Sequence, residues 1–296
     1  MSGIAEIKHR ISSVRDTKKI TNAMYLIAST KVRKAKADLE RTRPYFTALQ
    51  HEIARMFHAE EGGESIYFEH AEKRAEKSAP ATALAITADK GLAGAYNQNV
   101  IKRTLKYAAA NPGCRIYAVG EFGRQYFAHH GIDYEKDFLY TAQNPTLHRA
   151  REICDILLDA YTAGETDRID IIYTDFGSAG GEEVYEMRLL PFAAEDFKKA
   201  DRPAADFVYE PSVPEVLEYA VRSFVAGFVY AALVDAYCCE QNERMVAMLG
   251  ADKNADEILA RLSLAYNRER QAAITREITE ITSGARAMRL SRKEGV

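Results

Sequence analysis

No stretch of about 18 consecutive apolar residues occurs in the chain, which argues against a membrane-spanning helix. Cysteine is scarce, with four residues at Cys114, Cys154, Cys238 and Cys239. None forms a CxxC pair or a zinc-type spacing, so free thiols in a reducing compartment are expected. The adjacent Cys238 and Cys239 would point about 100° apart on a helix, which suits neither a bridge nor chelation. The seven histidines form no HExxH, and there is no G-x-S-x-G, G-x-x-x-x-G-K-[ST] or G-x-G-x-x-G. No nucleophile–base pair is supported by spacing. The expectation is therefore no catalytic residue, no metal and no cofactor. Met1 to Arg10 is polar and charged from the start, without the apolar core of a signal peptide or the Arg-rich, acid-poor character of a transit segment. Proline is absent after Pro214.

What is present is an uneven charge. The 296 residues carry a formal net charge of −3, yet residues 1–50 hold eleven Lys/Arg against four Asp/Glu. Residues 281–296 hold four against one, and the acidic excess lies between. With 47% hydrophobic and 28% charged residues the composition is that of a globular protein. Basic ends around an acidic middle demand an explanation.

The ends read as long helices. Ile4, Ile7, Ile11, Val14, Lys18, Thr21, Tyr25, Ala28, Val32, Ala35, Leu39, Thr42, Phe46, Leu49, Ile53 and Met56 alternate by three and four. Thirteen of these sixteen are apolar, a heptad seam that points to a coiled coil. Pro44 interrupts it, and because the seam continues in phase a kink is expected rather than a stop. At the other end Ser212, between Pro211 and Pro214, is placed to cap a helix. Leu217, Val221, Phe224, Phe228 and Ala231 make one run; Ile274, Ile278, Ile281, Ala285 and Met288 make another, out of phase with the first. A stutter near Gly250–Asn254 would account for the slip. Residues 213–288 as one helix would be about 110 Å long, whereas a compact globule of this size has a radius of gyration of about 19 Å. Such a helix has to project, with the N-terminal helix as its antiparallel partner.

Between them the pattern alternates. Ala83–Thr87, Arg115–Val119 and Ile169–Thr174 read as buried strands, with helical patterns at about 94–110, 121–130 and 146–163. This implies a Rossmann-like α/β domain with a mainly parallel sheet. Glu183–Leu190, with no helix before it, suits an antiparallel edge strand. Thr87-Ala-Asp-Lys-Gly-Leu-Ala-Gly94 lies where doubly wound sheets bind ligands, but lacks a phosphate fingerprint and reads as a tight turn capped by Asp89. Gly177–Gly181 reads as a strand connection. The expected division is 1–58 for the first helix, 59–80 for a linker, 81–211 for the α/β domain and 212–296 for the last helix.

Specific motifs stand at the two ends. Ser2–Met24, Lys31-Val-Arg-Lys-Ala35 and Arg43-Pro44-Tyr45, together with Arg270–Ala287, closely resemble the gamma subunit of the rotary, F-type ATP synthase. Ile274 onward is similar to that family's I-T-x-E-x-x-E-x-x-x-G-A signature. Thr87–Gly94 is similar to its S/T-x-D-R-G-L-C-G turn, with Lys90 for arginine and Ala93 for cysteine. Asn242–Met248, Leu264–Asn267 and Tyr209–Pro211 also match.

The resemblance implies a non-catalytic central-stalk rotor. Its antiparallel coiled coil would stand inside a ring of alternating alpha and beta subunits. Its α/β domain would sit lower, with the epsilon subunit, on the ring of c subunits. One copy per complex would couple ion flow to ATP synthesis or hydrolysis at the cytoplasmic face of a bacterial plasma membrane. Carried over residue by residue, the contacts to alpha and beta would be Met24, Lys31, Arg33, Lys34, Arg270, Gln271, Thr275, Glu277 and Glu280. The foot near epsilon and the c ring would be Phe207, Tyr209 and Glu210, position 207 usually being tyrosine. The added residues Met288–Val296 would project through the ring to solvent. The competing readings are a free-standing α/β enzyme, which lacks a substrate fingerprint, and a coiled-coil nucleic-acid adaptor. The latter lacks interleaved aromatics and leaves the acidic middle unexplained.

Overall fold

The computed structural model describes residues 2–57, 65–68, 79–176, 183–193 and 208–293. The expected linker at 59–80 falls largely outside them, as do Gly177–Gly181 and Phe207. The elements are α1 (Ser2–Phe57), β1 (Ala81–Ile86), α2 (Tyr96–Ala110), β2 (Arg115–Val119), α3 (Glu121–His129), α4 (Leu147–Thr162), β3 (Arg168–Asp175), β4 (Glu183–Leu190) and α5 (Val213–Lys293). The chain forms two compact units, one of residues 1–27 with 246–296 and the other of residues 28–245.

α1 continues through Pro44, so the proline does not end it. All sixteen seam positions are buried or half-buried, although the residues between them are mostly exposed. α5 is likewise unbroken through Gly250. At its start Ser212 Oγ accepts from the Glu215 N–H at 3.5 Å, as its position between two prolines predicts. One 18-residue window of α5 is apolar enough in composition to cross a membrane, contrary to the expectation from apolar runs alone. More than half of that window is buried inside the protein, and packing accounts for its apolarity.

In the larger unit the sheet order is β2-β1-β3-β4. β1 lies parallel to both β2 and β3, with Leu84 opposite Tyr117 and Ile171. β4 is antiparallel to β3 and occupies the edge. One face packs Leu84, Ile86 and Ile171 against Ile153 and Leu157 of α4 and Val221 and Val225 of α5. The other packs Ala83 and Ile172 against Tyr96, Val100 and Tyr107 of α2. A fully buried aliphatic side chain contributes about 1.5–3 kcal/mol, so these two layers hold the domain together. A polar cluster is embedded among them. Tyr107 donates to Asp170 Oδ2 at 2.5 Å, and Arg168 Nε lies 2.6 Å from the same oxygen. Burial and this hydrogen bond push the Tyr107 phenol well above its ordinary range.

The turn after β1 differs from expectation in one respect. Asp89 does not cap the helix that follows it. Its Oδ1 accepts from the Glu121 N–H at the start of α3, and its Oδ2 from the N–H groups of Ala142 and Gln143. Asn97 accepts from the Ala88 N–H instead, at 2.8 Å. Thr87 Oγ1 donates to Val119 O and accepts from Gly123 N–H. Gly120 has φ 94°, and a Cβ there would come within 2.3 Å of Thr87 O. The loop is therefore a structural knot joining β1, β2 and α3. It also docks on α5, where Arg244 donates to Gly91 O at 3.1 Å and pairs with the buried Glu240 at 2.7 Å.

Candidate partner-binding surface

The smaller unit brings the two ends of the chain together. Lys18 Nζ lies 2.5 Å from Asp256 and 3.6 Å from Asp252. The hydrogen bond to Asp256 is the largest cause of a raised lysine pKa; desolvation opposes it, and the Asp252 and Asp256 charges add to the rise. Lys18 breaks the apolar pattern of the α1 seam, and these acceptors on α5 explain it. Thr21, the other polar seam position before Ala28, is buried and donates to Lys18 O at 3.0 Å, so its hydroxyl is satisfied within its own helix.

Several of the expected contact residues lie open. Met24 and Lys31 are half-exposed; Arg33 and Lys34 are exposed. They are accompanied by residues that the seam analysis passed over. Ile20 is 61% exposed and Ile27 55%. Ile20, Met24, Ile27, Lys31 and Lys34 recur at the same spacing of three and four as the seam. They form a second stripe beside it, first apolar and then basic.

On α5, Arg270, Gln271, Thr275, Glu277 and Glu280 are all exposed. The threonines satisfy themselves within the helix: Thr275 donates to Gln271 O at 3.0 Å and Thr279 to Thr275 O at 2.8 Å. The apolar seam of the same segment is open too, with Ile278 57%, Ile281 65% and Met288 73% exposed. A regularly spaced apolar stripe left to solvent marks a surface for a partner. Of the residues expected at the foot, Tyr209 is half-buried and Glu210 exposed, while Phe207 lies outside the described residues. Burial, with the Glu52 charge, raises the Tyr209 pKa. The expected contact positions thus lie on α1, on α5 and at Tyr209–Glu210 before α5. Among the described residues no group of three His, Cys, Asp or Glu could hold a metal ion.

The model of the ATP synthase family matches residues 3–288. The ATP synthase gamma chain of Caldanaerobacter subterraneus is 42% identical over 294 residues, covering 96% of this chain and 99% of the relative. The sodium-ion-specific ATP synthase gamma chain of Acetobacterium woodii is 35% identical, covering 96% and 98%. Among solved structures, a chain of the Euglena gracilis mitochondrial ATP synthase OSCP/F1/c-ring assembly aligns over 100% of this chain and 97% of its own. Its TM-score is 0.71 at 19% identity, which speaks to the fold. A chain from the central stalk and c ring of the Tetrahymena thermophila mitochondrial enzyme aligns over 78% and 99%, with TM-score 0.55 and 25% identity. The chain belongs to the family of ATP synthase gamma chains, the central-stalk subunits of the F-type enzyme.

Proposed function

We propose that this chain is the non-catalytic rotor that couples ion flow through a membrane sector to ATP synthesis or hydrolysis in a ring of alpha and beta subunits. The observation that carries this reading is the open apolar stripe of α5. If α1 and α5 pair antiparallel at the level of Lys18 and Asp252–Asp256, the start of α1 comes level with about residue 270. Beyond that level α5 has no partner among the described residues of its own chain, and Ile274, Ile278, Ile281 and Met288 are exposed. An apolar sleeve of alpha and beta subunits would cover them. The pairing itself is supported in each unit separately: Lys18 meets α5 in one, and Phe46 packs on Gly227 in the other.

In this reading Arg270, Gln271, Thr275, Glu277 and Glu280 face the alpha and beta subunits around the upper shaft. Met24, Lys31, Arg33 and Lys34 face them lower down. Exposed ion pairs are worth about 0–1 kcal/mol each, so basic side chains can guide a turning shaft without holding it. Phe207, Tyr209 and Glu210 belong to the foot on epsilon and the c-subunit ring. The domain limits 1–58, 59–80, 81–211 and 212–296 divide shaft, linker and foot. One copy would serve each complex, peripheral on the cytoplasmic face of a bacterial plasma membrane. The purified chain should hydrolyse no ATP by itself. When combined with alpha and beta subunits it should restore a stable, ATP-hydrolysing assembly. Turnover by the chain alone would overturn the non-catalytic assignment.

A further inference from the structure

In the smaller unit the α1 seam from Ile4 to Tyr25 has a counterpart on α5. Met248, Asp252, Ala255, Leu259, Leu262 and Tyr266 recur there at alternating steps of four and three, and all are buried or half-buried. Each of these two stretches holds one charged side chain, Lys18 on α1 and Asp252 on α5. The two meet: Lys18 Nζ lies 3.6 Å from Asp252 Oδ2 and 2.5 Å from Asp256, one turn further along α5. Asp252 Oδ1 is buried without a hydrogen-bond partner, so the charge of this carboxylate is answered from α1 by Lys18.

An apolar heptad seam does not by itself fix register. Ile4, Ile11 and Lys18 are equivalent positions, as are Met248, Ala255 and Leu262. A slip of seven residues, about 10 Å, would therefore preserve most apolar contacts. The two charges tell the registers apart. Slipped one way, Lys18 would lie level with Leu259 and Leu262, and Asp252 with Tyr25 and Ala28. Slipped the other way, Asp252 would lie level with Ile11 and Val14. Either slip strands both charges among apolar side chains, where an ion without its partner is strongly disfavoured. We propose that Lys18 and Asp252 are positioning residues that key the register of the two helices and so set how far α5 extends beyond the start of α1. Their effect is selection among registers, because apolar side chains of similar volume would hold the same seam at least as firmly. The consequence for function rests on the rotor reading. Met24 on α1 and Thr275 and Glu277 on α5 are to meet one ring, and a slipped heptad would displace one set from the other by about 10 Å.

The test is disulfide trapping in the full chain. A disulfide closes only when the two Cα atoms come within about 7 Å, so a slip of one heptad is resolved by which pair closes. The four native cysteines all belong to the other compact unit. Ile11→Cys with Leu262→Cys reports the register of the structure; Ile11→Cys with Ala255→Cys or with Glu269→Cys reports a slip in one sense or the other. With Lys18 and Asp252 in place, only the first pair should close. In the background Lys18→Met/Asp252→Leu, oxidised well below its thermal midpoint, at least one slipped pair should rise about tenfold. Lys18→Arg keeps the charge and should keep the single register. Closure of the first pair alone in the apolar background, or slipped products of equal yield in the Lys18→Arg background, would overturn the key. No alpha or beta subunit takes part, so this test can fail while the rotor reading stands.

Discussion

A Cβ placed on Gly227 of α5 would stand 2.0 Å from Cδ1 of Phe46 on α1. No other side chain fits there, because the ring occupies the space that a methyl group needs. Gly227 lies inside a helix, where alanine would ordinarily gain about 1 kcal/mol in propensity. Overpacking costs about 1–3 kcal/mol and should win. Gly227→Ala is therefore expected to lower the urea midpoint of the chain, against the propensity trend. Adding Phe46→Leu should recover part of the loss. Simple additivity of the two changes would show that the contact does not govern the site.

Asp89 gathers three backbone N–H groups from two segments far from it in sequence, at 3.1, 3.0 and 3.0 Å. Asp89→Ala leaves those donors without an acceptor. The expected loss is about 2 kcal/mol. Amide exchange should accelerate first at Glu121, Ala142 and Gln143. Unchanged exchange at these three positions would contradict the knot described for this loop.

Asp235 on α5 has a pKa raised to about 6. Burial is the largest cause, and the Asp175 carboxylate on β3 adds to it; Arg43 and Lys36 on α1 oppose it. The folded state thus binds this proton more tightly than the unfolded chain does. The contribution of the neutral acid is fully present below the ordinary carboxylate pKa and is lost as pH rises through about 6. Asp235→Asn should stabilise the chain above that pH and lose its advantage as the pH falls towards 4. Stability curves of the two proteins measured from pH 4 to 8 would show it, and a pH-independent difference would exclude it.

Much of the fold was legible because it rests on local patterns. The three buried strands, the antiparallel edge strand and the helices between them follow from runs and alternations within single segments. The α1 seam was legible through Pro44 because Phe46, Leu49 and Ile53 keep the phase. What was not legible depends on distant residues. Asp89 reads as a local cap, yet its partners lie 32, 53 and 54 positions away. Lys18 looks like a defect in the seam until Asp252 and Asp256 are brought beside it. The expected contact residues came from resemblance, since an exposed stripe has no period distinct from that of a buried one. Ile20, Met24 and Ile27 show the difficulty. Their spacing matches that of the core positions Thr21, Tyr25 and Ala28, and only the fold reveals which stripe faces outward.

The central claim is that this chain is the single shaft of a rotary assembly. Its most direct test is native mass spectrometry of the detergent-solubilised complex, purified through a tag on this chain. The account predicts one copy with three alpha and three beta subunits. Recovery of the chain without alpha and beta, or in two or more copies per ring, would contradict it.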